Sequence, residues 1–390
     1  NIDEPHNKGV IQQAFASEEH ISPNFTQTEG QVMFYSSGTT GKPKGIRRPI
    51  MKRDFGTAPP VDGFIAASYG LDSNSIYLSP APMYHAAPLN WSLAVLRLGG
   101  CLVTMPKFDA EEFLSAIDKH RITHTQLVPT MFVRLLSLPS DVRNQYDLSS
   151  LQMAVHAAAP CAPKIKIAML AWWGNIIHEY YGGSEANGVT ALNPEEWLSH
   201  QGSVGKAVLG NLHICDEDGN ELGANQSGTV YFSGLPDFEY YKDPEKTRGA
   251  YNSKGYSTLG DIGYVDEDGF LYLTDRHAFT IVSGGVNIYP QEIENLLIAH
   301  DGIADVAVLG MPNADFGEEV VAVIEPVAMP ESVADFTDSI SQYCKDKLAG
   351  FKCPRQIILQ RSLPRMPNGK LLKRLIKEQL LNELQDKNLD

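Results

Sequence analysis

The sequence predicts an α/β fold: a large N-terminal domain with a mostly parallel sheet and a small β subdomain, then a smaller α+β C-terminal domain. Three observations predict it. From Gln31 to about Asn193 short β-branched runs alternate with helical patterns, which implies parallel strands joined by helices. From about Gly205 to Asp275 the texture changes to short strands broken by the turn dipeptides Asp218-Gly219 and Asp268-Gly269. Beyond Arg276 a separate helix-and-strand pattern follows, and basic residues gather there. Ser341 to Asp390 holds 11 Lys and Arg against 5 Asp and Glu, net +6, while the remainder carries net −21. That basic end reads either as a solvated helical face or as a mobile piece that meets an anionic ligand.

The elements follow in order. Val32 to Tyr35 reads as a buried strand. Gly99-Gly100 stops a helix, and Cys101 to Met105 is the next strand. Asp109-x-x-Glu112 is a capping-box start for a helix whose Phe113, Leu114, Ala116 and Ile117 cover one side. Ile122 to Val128 is a strand, Thr130 to Leu138 a helix and Leu151 to Val155 a strand. Lys164 to Trp173 is then a helix and Ile176 to Tyr180 a strand. In the last part a helix follows Pro290 (Ile293, Leu296, Leu297), with strands at Val306 to Leu309 and Glu319 to Ile324. A helix from Val333 to Leu348 carries Phe336, Ile340, Cys344 and Leu348 on one stripe. The boundary is expected at residues 275 to 279, dividing the chain into 1–275 and 276–390.

Composition narrows the partners. With 390 residues, 43% apolar and 20% charged, the chain is long enough for two or more globular domains. A net charge of −15 repels nucleic acid and anionic lipid, so a phosphate must be held by a local site. Five cysteines without a C-x-x-C pair suggest neither a disulfide framework nor a zinc knuckle, and fit a reducing, cytoplasmic compartment. No run approaches the roughly 18 apolar residues of a transmembrane segment, and no signal peptide opens the chain. The start at Asn1, without Met, reads as the interior of a longer gene product.

The most specific segment is Ser36-Ser37-Gly38-Thr39-Thr40-Gly41-Lys42-Pro43-Lys44-Gly45, leaving a strand. Its glycines and hydroxyls can wrap phosphate oxygens with N–H and O–H donors, and Lys42 and Lys44 add positive charge. It is not the Gly-x-x-x-x-Gly-Lys-Ser/Thr loop, because Pro43 follows Lys42. Four further motifs follow in order. They are Tyr181-Gly182-Gly183-Ser184-Glu185, then Leu259 to Tyr264 with Asp275-Arg276, then Ser283 to Glu294, and Leu363 to Lys370.

Together these motifs resemble the signatures of adenylate-forming enzymes, the superfamily of acyl-CoA synthetases, peptide-synthetase adenylation domains and firefly luciferase. The resemblance spans essentially the whole chain and points to the acyl-CoA synthetase branch. It implies ATP-dependent activation of a small-molecule carboxylic acid, fatty or bulky and apolar, to an acyl-adenylate and then to a thioester with CoA. Mg²⁺ is the implied metal, and a homodimer is compatible with the family. Nucleotide binding without turnover, or an acyl-AMP ligase that does not use CoA, is the alternative.

The resemblance also assigns residues. Ser36, Ser37, Gly38, Thr39, Thr40, Gly41 and Lys44 surround the phosphates. Ala158, in the strip Ala157 to Pro160, faces adenine, and Tyr181 stacks on it beside Gly182 and Ser184. Asp261 and Arg276 take the ribose hydroxyls, and Glu185 holds Mg²⁺, which suits a hard carboxylate. Lys370 is the catalytic lysine: positive charge between a carboxylate and the α-phosphate stabilises the transition state more than the ground state. Gly284 and Gly285 border the path of CoA's pantetheine, and His85 resembles an aromatic gate. Taken alone, Glu185 reads as a surface carboxylate, Asp261 as a turn residue, His85 as a core histidine, and Lys373 and Lys377 as ordinary exposed lysines.

His85 stands where amino-acid-activating domains place an Asp, so an amino-acid substrate is not expected. Small residues at Ala86, Ala87, Ala157, Ala158, Gly182, Gly183 and Ala186 leave room for an apolar acid. His120 and His124 are not read as a metal pair, because the second falls in a strand. Two departures from the family pattern stand out: Ala157 replaces a usual Gly, and Ala278 then Phe279 occupy the hinge, which bears on the rate of switching. Only 35 residues precede the Ser36 loop, where full-length relatives carry about one small domain more. The chain is therefore expected to lack its front.

Overall fold

The computed structural model describes residues 28–37, 43–276, 279–313, 315–365 and 371–387. The chain runs through β1 (Phe34–Ser37), β2 (Pro43–Arg47), a helix Pro60–Tyr69, β3 (Ile76–Ser79), a helix Ala86–Arg97 and β4 (Cys101–Thr104). A helix Ala110–His120, β5 (His124–Leu127), a helix Pro129–Leu136, β6 (Met153–His156), a helix Pro163–Trp173 and β7 (Ile177–Gly182) follow. Next come β8 (Val189–Leu192), a helix Pro194–Ser199, β9 (Lys206–Leu209), β10 (Asn211–Cys215), β11 (Gly228–Ser233) and β12 (Glu239–Tyr240). β13 (Ser257–Val265) and β14 (Leu271–Arg276) complete that part. The last part holds β15 (Ile281–Ser283), β16 (Val286–Ile288), a helix Pro290–Leu297, β17 (Ile303–Asn313) and β18 (Gly317–Pro326). It ends with a helix Val333–Lys345, β19 (Gln356–Leu359) and a helix Lys373–Lys387.

The largest sheet has seven strands in the order β4-β3-β5-β6-β7-β8-β9. Pairing is parallel from β4 to β7 and antiparallel for β8 and β9. Helices cover both faces, and the two-residue period of the strands sorts the side chains between them. Leu78 and Ala154 pack with Phe113, Ile117, Phe132 and Met169 on one face, while Tyr77 and Val155 pack with Tyr69, Trp91 and Val95 on the other. The predicted strand and helix alternation is therefore present, with boundaries shifted by one or two residues.

The helix Ala110–His120 is capped by Asp109, whose carboxylate accepts the amides of Glu111 and Glu112, both at 3.0 Å. The reciprocal capping box lies elsewhere: Asn193 and Glu196 exchange side-chain to backbone bonds, each 2.9 Å, at the helix Pro194–Ser199. The β-rich texture forms an antiparallel sheet β10-β11-β13-β14, and the last part a five-stranded sheet, with β19 parallel to β18. β17 and β18 are longer than the sequence pattern predicts and form one antiparallel hairpin.

The strand expected at Val32 to Tyr35 begins instead at Phe34, and it is not buried. It forms a three-stranded sheet β1-β2-β12 in which the Tyr35 side chain stands 63% exposed. Among the described residues, 28–32 and 50–58 belong to one unit and the remainder to another. Within the first, Thr28 bridges Asp54, and the Gly56 amide donates to the Glu29 carboxylate at 3.0 Å. All five cysteines are free, and no helix among the described residues is long and apolar enough to cross a membrane.

Candidate active site

In a parallel sheet, loops at the carboxyl ends of strands are where ligands gather. Three of the sequence-predicted segments start there. His85 follows β3, the strip Ala157 to Pro160 follows β6, and Gly183 to Glu185 follow β7. β6 and β7 are direct parallel neighbours, so the last two segments leave the sheet side by side.

The phosphate segment is built as a hairpin rather than as a strand-to-helix turn. β1 and β2 pair antiparallel, Ser36 opposite Lys44 and Ser37 opposite Pro43. Gly38, Thr39, Thr40 and Gly41 between them lie outside the described residues, as do the side chains of Ser36 and Ser37. β12 pairs with β2 and brings Tyr240 to the hairpin, where Lys44 Nζ stands 4.7 Å from the centre of its ring. The Tyr240 hydroxyl donates to Glu185 Oε1 at 3.0 Å. One aromatic side chain thus holds an ammonium on its face and a carboxylate at its tip. Sequence reasoning missed Tyr240, because a two-residue strand in the run Phe238-Glu239-Tyr240-Tyr241 gives no period to read.

Glu185 is only 9% exposed, and Gly183 lets the Leu259 and Glu185 side chains close over the turn. A Cβ on Gly183 would meet Leu259 Cδ1 at 2.5 Å and Glu185 Oε2 at 2.9 Å. Among the described residues no three His, Cys, Asp or Glu converge as a metal cage. The described site thus offers Mg²⁺ the single Glu185 carboxylate, and Mg²⁺ normally combines one or two carboxylates with waters and substrate phosphates. The residues present fit that ion. Ser184 is half-buried beside it.

The Tyr181 hydroxyl donates to Asp261 Oδ2 at 2.6 Å, so β7 and β13 are tied at the expected ribose site. Asp261 is buried, and its Cα partner across the ladder is Arg276 on β14, whose side chain lies outside the described residues. The register alone brings the expected ribose pair together.

Ala158 is exposed in the strip expected to face adenine, with φ 73°, a left-handed conformation that a residue with a Cβ adopts at a cost. Ala158→Gly is therefore expected to stabilise the fold by about 0.5 to 1 kcal/mol, the left-handed penalty less the extra unfolded-state freedom of glycine. Urea midpoints compared at unchanged slope check this. At Cys161, next along, burial pushes the thiol up, with the Glu179 charge adding to the shift and Lys166 opposing it.

His85 is half-buried at the N-terminal end of the helix Ala86–Arg97, its ring 4.4 Å from that of the exposed Tyr84. His120 ends its helix while His124 is buried on β5, its ring nitrogens at Thr123 Oγ1 and the Tyr69 carbonyl. They do not form a metal pair.

Gly284 and Gly285 make the two-residue turn between β15 and β16, with φ of 58° and 78°. Both positive values match a type I′ turn and account for glycine there by backbone alone. No atom lies within 4 Å of a Cβ built on Gly285.

Lys370 lies outside the described residues, as do His277 and Ala278 at the hinge. Its flanks are described: Arg365 and Leu371 pair as an antiparallel bridge, and Arg365 forks onto Asp305 with two contacts of 2.6 Å. Lys373 departs from its expected exposure. It is 9% exposed, its Nζ pairs with Glu294 Oε1 at 2.7 Å, and it lies 5.3 Å from the ring centre of Phe279. Its helix packs Ile376 and Leu380 on the strands, which carries the first turn inward. Lys377 is ion-paired with Glu318 at 3.1 Å.

Comparison with known proteins gives the family. The family model of AMP-binding enzymes matches residues 3–241, and that of the AMP-binding enzyme C-terminal domain matches residues 292–370. The chain is 32% identical over 383 residues to 4-coumarate–CoA ligase 1 of Oryza sativa subsp. japonica, covering 93% of this chain and 67% of that protein. It is 30% identical over 348 residues to the long-chain-fatty-acid–CoA ligase FadD13 of Mycobacterium tuberculosis, covering 89% of this chain and 67% of that protein. The chain thus spans about two thirds of these relatives. Among solved structures, o-succinylbenzoate coenzyme A synthetase of Bacillus subtilis, with ATP and magnesium ion, superposes with TM-score 0.73 at 27% identity. That match covers 90% of this chain and 71% of that one. The chain belongs to the AMP-binding enzymes, in the acyl-CoA synthetase branch of AMP-forming acid–thiol ligases that use ATP, Mg²⁺ and CoA.

Proposed function

We propose that the chain activates a fatty or other bulky apolar carboxylic acid, and that the residues gathered above are its nucleotide site. The observation that carries this reading is the Lys44, Tyr240 and Glu185 arrangement, in which one ring fixes a cation for phosphate and a carboxylate for metal. In the first step a carboxylate oxygen of the acid attacks the α-phosphorus, the bond to the bridging oxygen breaks, and pyrophosphate leaves with the electron pair. In the second the CoA thiol, giving up its proton, attacks the acyl carbon and AMP leaves.

Lys44 and the Ser36 to Gly41 loop bind the phosphates, and Tyr181 with Ala158 flanks the base. Asp261 and Arg276 orient the ribose, and Lys370 supplies charge at the α-phosphate. Glu185 would hold Mg²⁺, which would supply positive charge to offset that of the phosphates. His85 borders the acid, and the Gly284-Gly285 turn borders the thiol path. The small residues after β6 and β7, with Ala86 and Ala87 next to His85, support a bulky apolar acid over a compact charged one. Residues 1–275 and 276–390 act as the two moving parts, a division supported by the separate sheets of β10 to β14 and β15 to β19. The five free cysteines support a reducing, cytoplasmic setting.

A panel of fatty, aryl and bulky alicyclic acids, each with ATP, Mg²⁺ and CoA, tests the proposal. AMP and acyl-CoA in equal amounts are expected, strongest with an apolar acid. ATP–pyrophosphate exchange without thioester would instead make the chain an acyl-adenylate ligase. Bound ATP with no AMP from any acid would overturn the enzymatic reading.

A further inference from the structure

A buried charge cluster lies next to the nucleotide-facing segments, and the reaction above does not use it. Lys166, on the helix Pro163–Trp173, is 0% exposed, with its Nζ 2.5 Å from Glu179 Oε2 and 4.8 Å from the Trp197 ring centre. The same Glu179 oxygen lies 3.2 Å from Nε2 of His156, which is equally buried and meets the Phe132 ring edge-on. Burial by itself raises the Glu179 carboxyl, but His156 and Lys166 outweigh it and hold the group below the ordinary carboxylate range. Burial lowers His156 in turn, against the raising pull of the Glu179 charge.

The cluster's place in the fold gives it meaning. His156 and Glu179 are register partners on β6 and β7. The adenine strip begins with the residue after His156, and Tyr181 is two residues beyond Glu179. Such a cluster is not needed for stability, since a well-packed apolar set of the same volume is commonly as stable or more so. What the Lys166–Glu179 hydrogen bond adds, with His156 at ion-pair distance from the same oxygen, is fixed distance and direction.

We propose that Lys166 is a positioning residue for the nucleotide: through Glu179 and His156 it fixes the spacing between the Ala157 to Pro160 strip and Tyr181. This rests on the reading that those two segments flank adenine. Lys166 is fully buried and so acts through these partners rather than by contact with ATP or the acid. Its effect is confined to how well two strand ends fit the base.

The test compares the parent with Lys166→Met/Glu179→Leu, which keeps bulk and removes both charges, and with Lys166→Arg, which keeps the pair. The double variant is expected to raise KM for ATP about tenfold, with kcat at saturating ATP changed less than about threefold and KM for the acid unchanged. Lys166→Arg is expected to restore the parent KM. A merely structural role would lower the folded fraction, and hence kcat, without moving KM. Calorimetric Kd for ATP is measured alongside, so a parent that binds ATP without forming AMP sinks the proposed function while still testing Lys166. A folded double variant with the parent's Kd and KM for ATP overturns the proposal. If the double variant does not fold, His156→Gln takes its place, with the same expected rise and the same overturning result.

Discussion

Replacing Lys370 with alanine slows acyl-adenylate formation about 10²- to 10³-fold, roughly 3 to 4 kcal/mol of barrier, and spares thioester formation from a preformed adenylate. The expected effect is large because the step brings a carboxylate against a triphosphate. Charge placed between them acts mainly as the new bond forms. Neighbouring lysines cannot substitute, since Lys373 is neutralised by Glu294 and Lys377 by Glu318. The ends of the Lys370 segment are tied down, through the Arg365 and Leu371 bridge and the Arg365 fork on Asp305. ATP–pyrophosphate exchange reads the first step, and CoA transfer from synthetic acyl-adenylate reads the second. Equal slowing of both steps would assign Lys370 a structural part only.

Glu185→Gln is expected to lower kcat/KM for MgATP about 10²-fold or more, and to move the Mg²⁺ requirement to higher concentration. The substitution preserves shape and leaves an oxygen to accept the Tyr240 hydroxyl, so it isolates the loss of charge. Tyr240→Phe separates the other half of the contact. It removes a hydrogen bond to a charged group, a change of about 1.5 to 3 kcal/mol where the carboxylate is left unpaired. It should therefore cost about 10- to 100-fold, no more than Glu185→Gln. Initial rates across a Mg²⁺ titration check both. An unchanged Mg²⁺ dependence in Glu185→Gln would remove Glu185 from the metal site.

What could be read from the sequence was whatever is local. Strand and helix alternation follows from period, and the Gly-rich loops from composition, because both are written in consecutive residues. Long-range pairing is not. Tyr240 reaches Lys44 and Glu185 only because a two-residue strand adds to β2. Lys373 reads as an exposed lysine and Lys166 drew no reading, yet both are buried because an acidic partner waits on another element: Glu294 on the helix Pro290–Leu297 for one, Glu179 on β7 for the other. The exposed β1 shows the reverse error. Apolar residues there suggested a core strand, yet the strand lies in a small antiparallel sheet with an open face. Gly284 and Gly285 were read toward a ligand path, and their positive φ values show that the turn itself selects glycine.

The most direct test follows one oxygen atom. A long-chain fatty acid and a hydroxycinnamic acid, each labelled with ¹⁸O in the carboxylate, are incubated with ATP, Mg²⁺ and CoA, and the nucleotide product is weighed by mass spectrometry. Attack of the carboxylate on the α-phosphorus predicts AMP carrying a single ¹⁸O for each thioester formed. Unlabelled AMP beside thioester, or ADP as the nucleotide product, would contradict the adenylate route.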